Sequence, residues 1–121
     1  MDKKVLGNFG EEKAAQFLRR NGYKIVDRNF NCRMGEIDII AVKADLVVFV
    51  EVKLRKNSDF AYAREFVTAS KQHRVISAAL LWMRLKNCEL QPRFDVIEVY
   101  APNGEKTLFP KINHIEDAFG G

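Results

Sequence analysis

Cysteine and histidine are scarce in this chain of 121 residues, with two of each. Cys32 and Cys88 are too few and too far apart for a disulfide framework or a CxxC zinc pattern, so they read as free thiols in a reducing compartment. His73 and His114 are equally isolated, and neither pairs with a cysteine at metal-ligand spacing, which argues against zinc. Long apolar runs are also missing. The opening MDKKVLGNFG is charged and lacks the apolar stretch of a signal peptide, and no segment approaches the length of a membrane span. These absences point to the cytoplasm, with no membrane partner. Repeats, low-complexity segments and interdomain linkers are absent too, and the length suits one domain over residues 1–121.

What is present is a globular composition with a formal charge of +4 and a sequence pI near 9.2. A modest positive field suits a polyanion such as nucleic acid, although many basic domains have no such partner. From Phe9, the segment FGEEKAAQFLRRNGY spaces Ala14, Phe17 and Leu18 as on a helix, with Glu11 and Glu12 in its first turn and Gly22 after its end. Tyr23 to Phe30 reads as a strand. Glu36 to Val42 and Leu46 to Leu54 are rich in β-branched residues and flank the short polar stretch Lys43-Ala44-Asp45, which predicts a hairpin. A loop follows over Asn57 to Tyr62. The spacing of Phe66, Val67, Ser70, Arg74, Val75, Ala78, Leu81 and Trp82 predicts a helix from about Ala63 to Lys86, with Trp82 packed in the core. A last strand runs from about Phe94 to Tyr100 and ends in the turn Pro102-Asn103-Gly104. The tail shows little regularity. The order helix, three strands, helix, strand implies an α/β fold with a mixed sheet flanked by helices.

The hairpin concentrates the chemistry. With a two-residue turn at Ala44-Asp45, Lys43 faces Leu46, Asp38 falls opposite Glu51, and Glu36 falls opposite Lys53. Cross-strand partners lie about 4.5–5.5 Å apart at Cβ, so two carboxylates could share one cation. Strand alternation puts Lys53 on the face of Glu51 and turns Val50 and Val52 away. Mg²⁺ takes one or two carboxylates and fills its octahedron with waters and phosphate oxygens. A lysine beside such a pair can position or deprotonate a water, or stabilise charge on a phosphate. The competing interpretation is an ordinary solvated strand face with Glu51 and Lys53 as neighbouring charges. Against it stands the run Leu46 to Val50, apolar on both faces, which marks the strand as central and its charges as partly desolvated.

Gly35-Glu36-Ile37-Asp38 followed by Phe49-Val50-Glu51-Val52-Lys53 resembles the YraN-like family of bacterial proteins, predicted nucleases of the PD-(D/E)xK superfamily related to archaeal Holliday-junction resolvases. The likeness extends to Gly7-Asn8-Phe9-Gly10-Glu11, Asn21-Gly22-Tyr23, Asn29, Lys71-Gln72 and Arg93-Phe94-Asp95-Val96. It implies the restriction-endonuclease-like fold. It also implies that Asp38 and Glu51 bind Mg²⁺ or Mn²⁺, that Lys53 is the catalytic lysine, and that Glu11 joins the metal site. Without the resemblance Glu11 would serve only as a helix-start charge, with Glu12 an equal choice. Glu36 either touches the metal's outer shell or pairs with Lys53. Lys71 and Gln72 resemble a helical motif that contacts the phosphate backbone, and Arg33 and Arg55 flank the two strands where they could grip phosphates. The sequence departs from the family at Phe60 to Glu65, where a glycine and a proline usually follow the ExK strand.

Two functions from different classes follow. The first is a metal-dependent nuclease acting on DNA phosphodiesters, with branched DNA as the resemblance's suggestion. The second is a catalytically weak nucleic-acid-binding module of the same fold that works with a partner protein. Cutting both strands of a junction would require a homodimer, and the sequence marks no dimer surface.

Overall fold

The computed structural model describes residues 3–56 and 67–120. Helix α1 (Lys3–Arg20) is followed by strands β1 (Lys24–Cys32), β2 (Gly35–Lys43) and β3 (Leu46–Arg55), helix α2 (Ala69–Leu85), strand β4 (Gln91–Tyr100), a 3-10 turn (Gly104–Lys106) and strand β5 (Lys111–Phe119). The five strands lie side by side in chain order. β3 and β4 are parallel, while every other neighbouring pair is antiparallel. A parallel pair needs a long crossover, and α2 supplies it. The sheet is therefore mixed, as the order of elements implied, and the fold is α/β.

One helix covers each face. β3 alternates with period two, so Val47 and Phe49 pack with Val75, Ala78, Ala79 and Trp82 of α2. Val48 and Val50 pack instead with Ala14, Ala15 and Leu18 of α1. Phe49 sits at the centre of the α2 side, stacked on Phe94 at 5.5 Å between ring centroids and edge-on to Trp82 at 5.9 Å. The Trp82 indole N–H donates to Asp27 Oδ2 at 2.9 Å. Trp82 thus packs in the core, as its spacing predicted, and also ties α2 to β1.

Several boundaries moved. α1 begins at Lys3, not near Phe9, so Glu11 and Glu12 lie within the helix and no acid occupies its first turn. Gly7 and Gly10 lower helix propensity and hide the start in the sequence. Gly10 is instead a contact point, since a Cβ there would meet Leu54 Cδ1 at 3.4 Å. α2 begins at Ala69, where the Thr68 hydroxyl accepts the Lys71 N–H at 3.1 Å. The expected helical residues 63–66, Phe66 among them, the loop Asn57 to Tyr62 and the departure at Phe60 to Glu65 lie outside the described residues. Ser70 and Arg74 are exposed, so the helix turns a narrower apolar stripe to the sheet than its spacing suggested.

β5 was not legible as a strand. Its Ile112 joins the core under α1, whereas Ile115 and Ala118 join the core under α2. Ile112 and Ile115 face opposite sides by alternation, whereas a register shift opposite Phe94/Val96, where Asp117 takes φ +52°, lets Ile115 and Ala118 share a side. A bulge of this kind breaks the period-two pattern that marks a strand.

The buried aromatic contacts of Phe49 give a direct test. Phe49→Ala is expected to cost about 3–5 kcal/mol of unfolding free energy. Val26→Ala, at a half-exposed site, is expected to stay within about 0.5 kcal/mol. Urea denaturation followed by Trp82 fluorescence measures both, and equal losses would contradict the packing described.

Candidate functional site: a carboxylate pair where two strands part

The β2–β3 hairpin has the register its sequence predicted. Lys43 pairs with Leu46, and the ladder continues inward to Ile39 opposite Val50. Ala44 makes the turn at φ +54°. Beyond Ile39 and Val50 the backbone pairing stops. The Val52 N–H, which in a continued ladder would face Ile37, donates to Asp38 Oδ2 at 2.8 Å. A side chain has replaced the partner strand's carbonyl. Asp38 and Glu51 are thus the first residues beyond the paired ladder, level with each other where the strands separate.

Glu51 is only 3% exposed. Its Oε1 has no hydrogen-bond partner, and the nearest cation, Lys71 Nζ, lies 3.6 Å away. Burial, and then repulsion from Asp38, push its carboxyl up to about 7. Burial also raises Asp38, and the charges of Glu11 and Glu36 push the same way, while the Val52 N–H and Lys71 oppose them. Two neighbouring carboxyls raised by desolvation, one of them also by the charge of the other, leave negative charge short of a counter-ion. Lys53 shares the α2-side face with Glu51 and adds its positive charge to the field there.

Glu11 is buried on α1 and near enough to act on Asp38 by charge. Its Oε1 already accepts from Arg28 Nε at 2.8 Å and from Asn29 Nδ2 at 3.1 Å. Arg28 also binds Glu12 at 2.8 Å, so both glutamates of the helix are tied to β1. Among the described residues no three acidic, histidine or cysteine side chains close round a point that could hold a metal ion. The pair Asp38 and Glu51 matches the one or two carboxylates that Mg²⁺ takes, and the orphaned Glu51 oxygen is a donor that a cation would satisfy.

Glu36 is exposed. The expectation that it faces Lys53 fails, because the ladder ends before reaching them and the register partner of Lys53 is Glu98 on β4. Glu36 instead lines a pocket of about 230 Å³ with Asn31, Gly35, Lys71, Arg74 and Val75. Lys71 is therefore in place beside the carboxylates. Gln72 is not, since its amide donates to the Val67 carbonyl at 2.8 Å and ties down the chain entering α2. Arg33 is exposed at the tip of the β1–β2 turn. Arg55 is drawn to buried Glu98, 3.7 Å away, rather than to the carboxylate pair.

Arg28, Asn29, Asn31 and Arg74 belong to the site's surroundings; Asn29 entered only through the resemblance, and Arg28 and Asn31 carry no sequence signal pointing to Asp38 or Glu51. Arg74 alone had a clue, since it follows Lys71 by three residues and so shares its helix face.

Fold and site together define a small α/β protein with a desolvated carboxylate pair and two lysines at the open end of a mixed sheet. The chain belongs to the family described as Uncharacterised protein family UPF0102, which matches residues 10–99. This is the YraN-like family that its motifs resemble. It is similar to a UPF0102 protein of Caldanaerobacter subterraneus subsp. tengcongensis, 45% identical over 120 residues and covering 98% of both chains. It is also 46% identical to one of Caldicellulosiruptor saccharolyticus, over 98% of this chain and 100% of the relative, and 47% identical to one of Clostridium beijerinckii, over 96% and 94%. No helix among the described residues is long and apolar enough to cross a membrane.

Because the folded carboxyl of Glu51 sits near 7 against an ordinary 4.5, the folded state holds its proton more tightly than the unfolded chain. Its stabilising contribution is complete below pH 4.5 and is lost as pH rises through 7, a loss of about 3 kcal/mol. In EDTA, Glu51→Gln is expected to raise the melting temperature at pH 8 by roughly 10 °C and to change it little at pH 4. Calorimetry at both pH values checks this, and an equal shift at the two would rule out the desolvated carboxylate.

Proposed function

We propose that this protein is a metal-dependent nuclease that hydrolyses DNA phosphodiesters, with branched or otherwise structured DNA as its preferred substrate. The observation that carries the reading is the buried Glu51 oxygen without a hydrogen-bond partner, beside Asp38 and facing Lys71. A structural acid would be satisfied; an unsatisfied one beside a second acid suits a cation that arrives with its substrate. The resemblance to the resolvase-related nucleases supports the same assignment, and the net charge of +4 suits a polyanionic substrate.

Asp38 and Glu51 would hold Mg²⁺ or Mn²⁺. When bound, such an ion polarises the phosphate and lowers the pKa of a water. The Val52 N–H holds one Asp38 oxygen, so the other would be the one free to serve as a ligand. Lys53 positions the attacking water and takes up or offsets its charge, and Lys71 with Arg74 neutralises phosphate oxygens beside the pair. Glu11, locked by Arg28 and Asn29, sets the negative field at Asp38. Arg33 at the hairpin tip adds a phosphate contact farther along the strand.

One observation favours the second reading, a nucleic-acid-binding module with weak catalysis that acts with a partner protein. Glu11 is held by two donors, which leaves two carboxylates rather than three at the site.

Purified protein incubated with linear, flapped and four-way-junction DNA in Mg²⁺, Mn²⁺ or EDTA separates these readings. Cleavage is expected only with metal, with at least a 100-fold loss in Asp38→Ala and in Lys53→Ala. Activity that survives Asp38→Ala would sink the assignment. Salt-sensitive binding without cleavage on any substrate would establish the binding module instead.

A further inference from the structure

Leu108 and Phe109 are 84% and 90% exposed, whereas the other large exposed apolar side chains described reach at most 62%. They are adjacent in the loop between the Gly104–Lys106 turn and β5. This loop is held at both ends. The Thr107 hydroxyl accepts the Asn103 N–H at 3.0 Å, the Thr107 N–H donates to the Gly104 carbonyl at 3.0 Å, and Ile112 packs into the core under α1. Pro110 restricts the backbone of Phe109 to extended conformations. The display of two apolar side chains to solvent is therefore built into the loop.

The rim of this patch is basic. Lys13, Gln16 and Arg20 of α1 line a groove of about 210 Å³ with Leu108, Phe109, Pro110 and Ile112. Lys106 and Lys111, both exposed, flank the loop, and Glu105 is the nearest acid in the sequence. A second copy docked on the same patch would set lysine and arginine against lysine and arginine, which disfavours a symmetric contact. A flat aromatic ring amid cations suits a partner that is anionic and carries exposed ring faces.

We infer that the Leu108–Phe109 loop is a stacking site for unpaired bases of a nucleic acid, with Lys13, Arg20 and Lys106 holding the adjoining phosphates. Bases stacked in a duplex offer no free face, so the site selects gapped, flapped or single-stranded segments over paired DNA. Helical geometry separates it from the carboxylate pair. Lys13 follows Glu11 by two residues, about 3 Å along α1 and roughly 200° around it. A strand bound here would pass round α1 from the carboxylates. The inference rests on the nucleic-acid side of the proposed function and not on hydrolysis.

Binding in EDTA, where no cleavage can occur, tests it. Fluorescence anisotropy is measured on a single-stranded oligonucleotide, a gapped duplex and a fully paired duplex, with 2-aminopurine in the unpaired stretch as a reporter of stacking. Phe109→Ala is expected to weaken binding to the first two by about tenfold and to abolish the 2-aminopurine quench. Its affinity for the paired duplex and its salt slope stay unchanged. Lys13→Gln is expected to lower the salt slope by about 0.7 on the single strand, and Val26→Ala to bind as the parent protein does. Unchanged binding and quench in Phe109→Ala would overturn the stacking site alone. So would a dimer of the parent protein that this substitution dissolves in sedimentation velocity, since a second copy would then cover the patch. A parent protein that binds none of these DNAs overturns both this inference and the nucleic-acid reading, and calorimetric Mg²⁺ uptake then shows separately whether the carboxylate pair holds metal.

Discussion

The hydrogen bond from the Val52 N–H to Asp38 Oδ2 governs the rest of the site. An antiparallel ladder left to itself would have carried on past Ile39 and Val50, and the two strands would have closed over their own side chains. A carboxylate inserted into the position of the partner carbonyl satisfies the Val52 donor and ends the pairing in one step. The strands part at that point. The gap this opens is where Glu51 and Lys53 sit on β3, where Lys71 stands in the first turn of α2, and where Glu11 acts on Asp38 from the other face.

Burial alone does not distinguish this site from the rest of the sheet. Asp95 and Glu98 are as deeply buried as Glu51, yet each is satisfied. Burial would push Asp95 up, but hydrogen bonds from His114 and Arg93 and from the Asp117 N–H hold it below the usual carboxylate range. Glu98 accepts from Tyr100 and Asn113. These two acids bind β4 to β5 and fix the bulge of the last strand. Glu51 has no such donors on Oε1, and its carboxyl is raised to about 7. The same chemical group is satisfied in one place and left with a raised carboxyl in another, according to the donors around it.

Much of the fold could be read because its signals are local. The apolar run Leu46 to Val50 and its β-branched neighbours specify a central strand, and Lys43-Ala44-Asp45 specifies a turn whose register follows from counting. The α2 stripe through Val75, Ala78 and Trp82 is equally local. Boundaries failed where local and tertiary preferences disagree. Gly7 and Gly10 conceal the first turns of α1, because both lower helix propensity and only packing on the sheet outweighs them. β5 escaped notice because the bulge between Ile115 and Phe119 breaks its alternation and leaves Ile115 and Ala118 in the same core.

For the site, the sequence by itself determined the residues and their register: Asp38 level with Glu51, and Lys53 on the face of Glu51. These follow from a two-residue turn and the period-two alternation of a strand. Only the tertiary structure decided what surrounds them. The capture of Glu11 by Arg28 and Asn29, the approach of Lys71, the withdrawal of Gln72 to Val67 and the pairing of Arg55 with Glu98 all join residues from separate elements. No spacing along the chain encodes such contacts, because they depend on how each helix lands on the sheet. The raised carboxyl of Glu51 belongs to the same class. Its cause is desolvation, which is a property of the packed molecule and not of the residue.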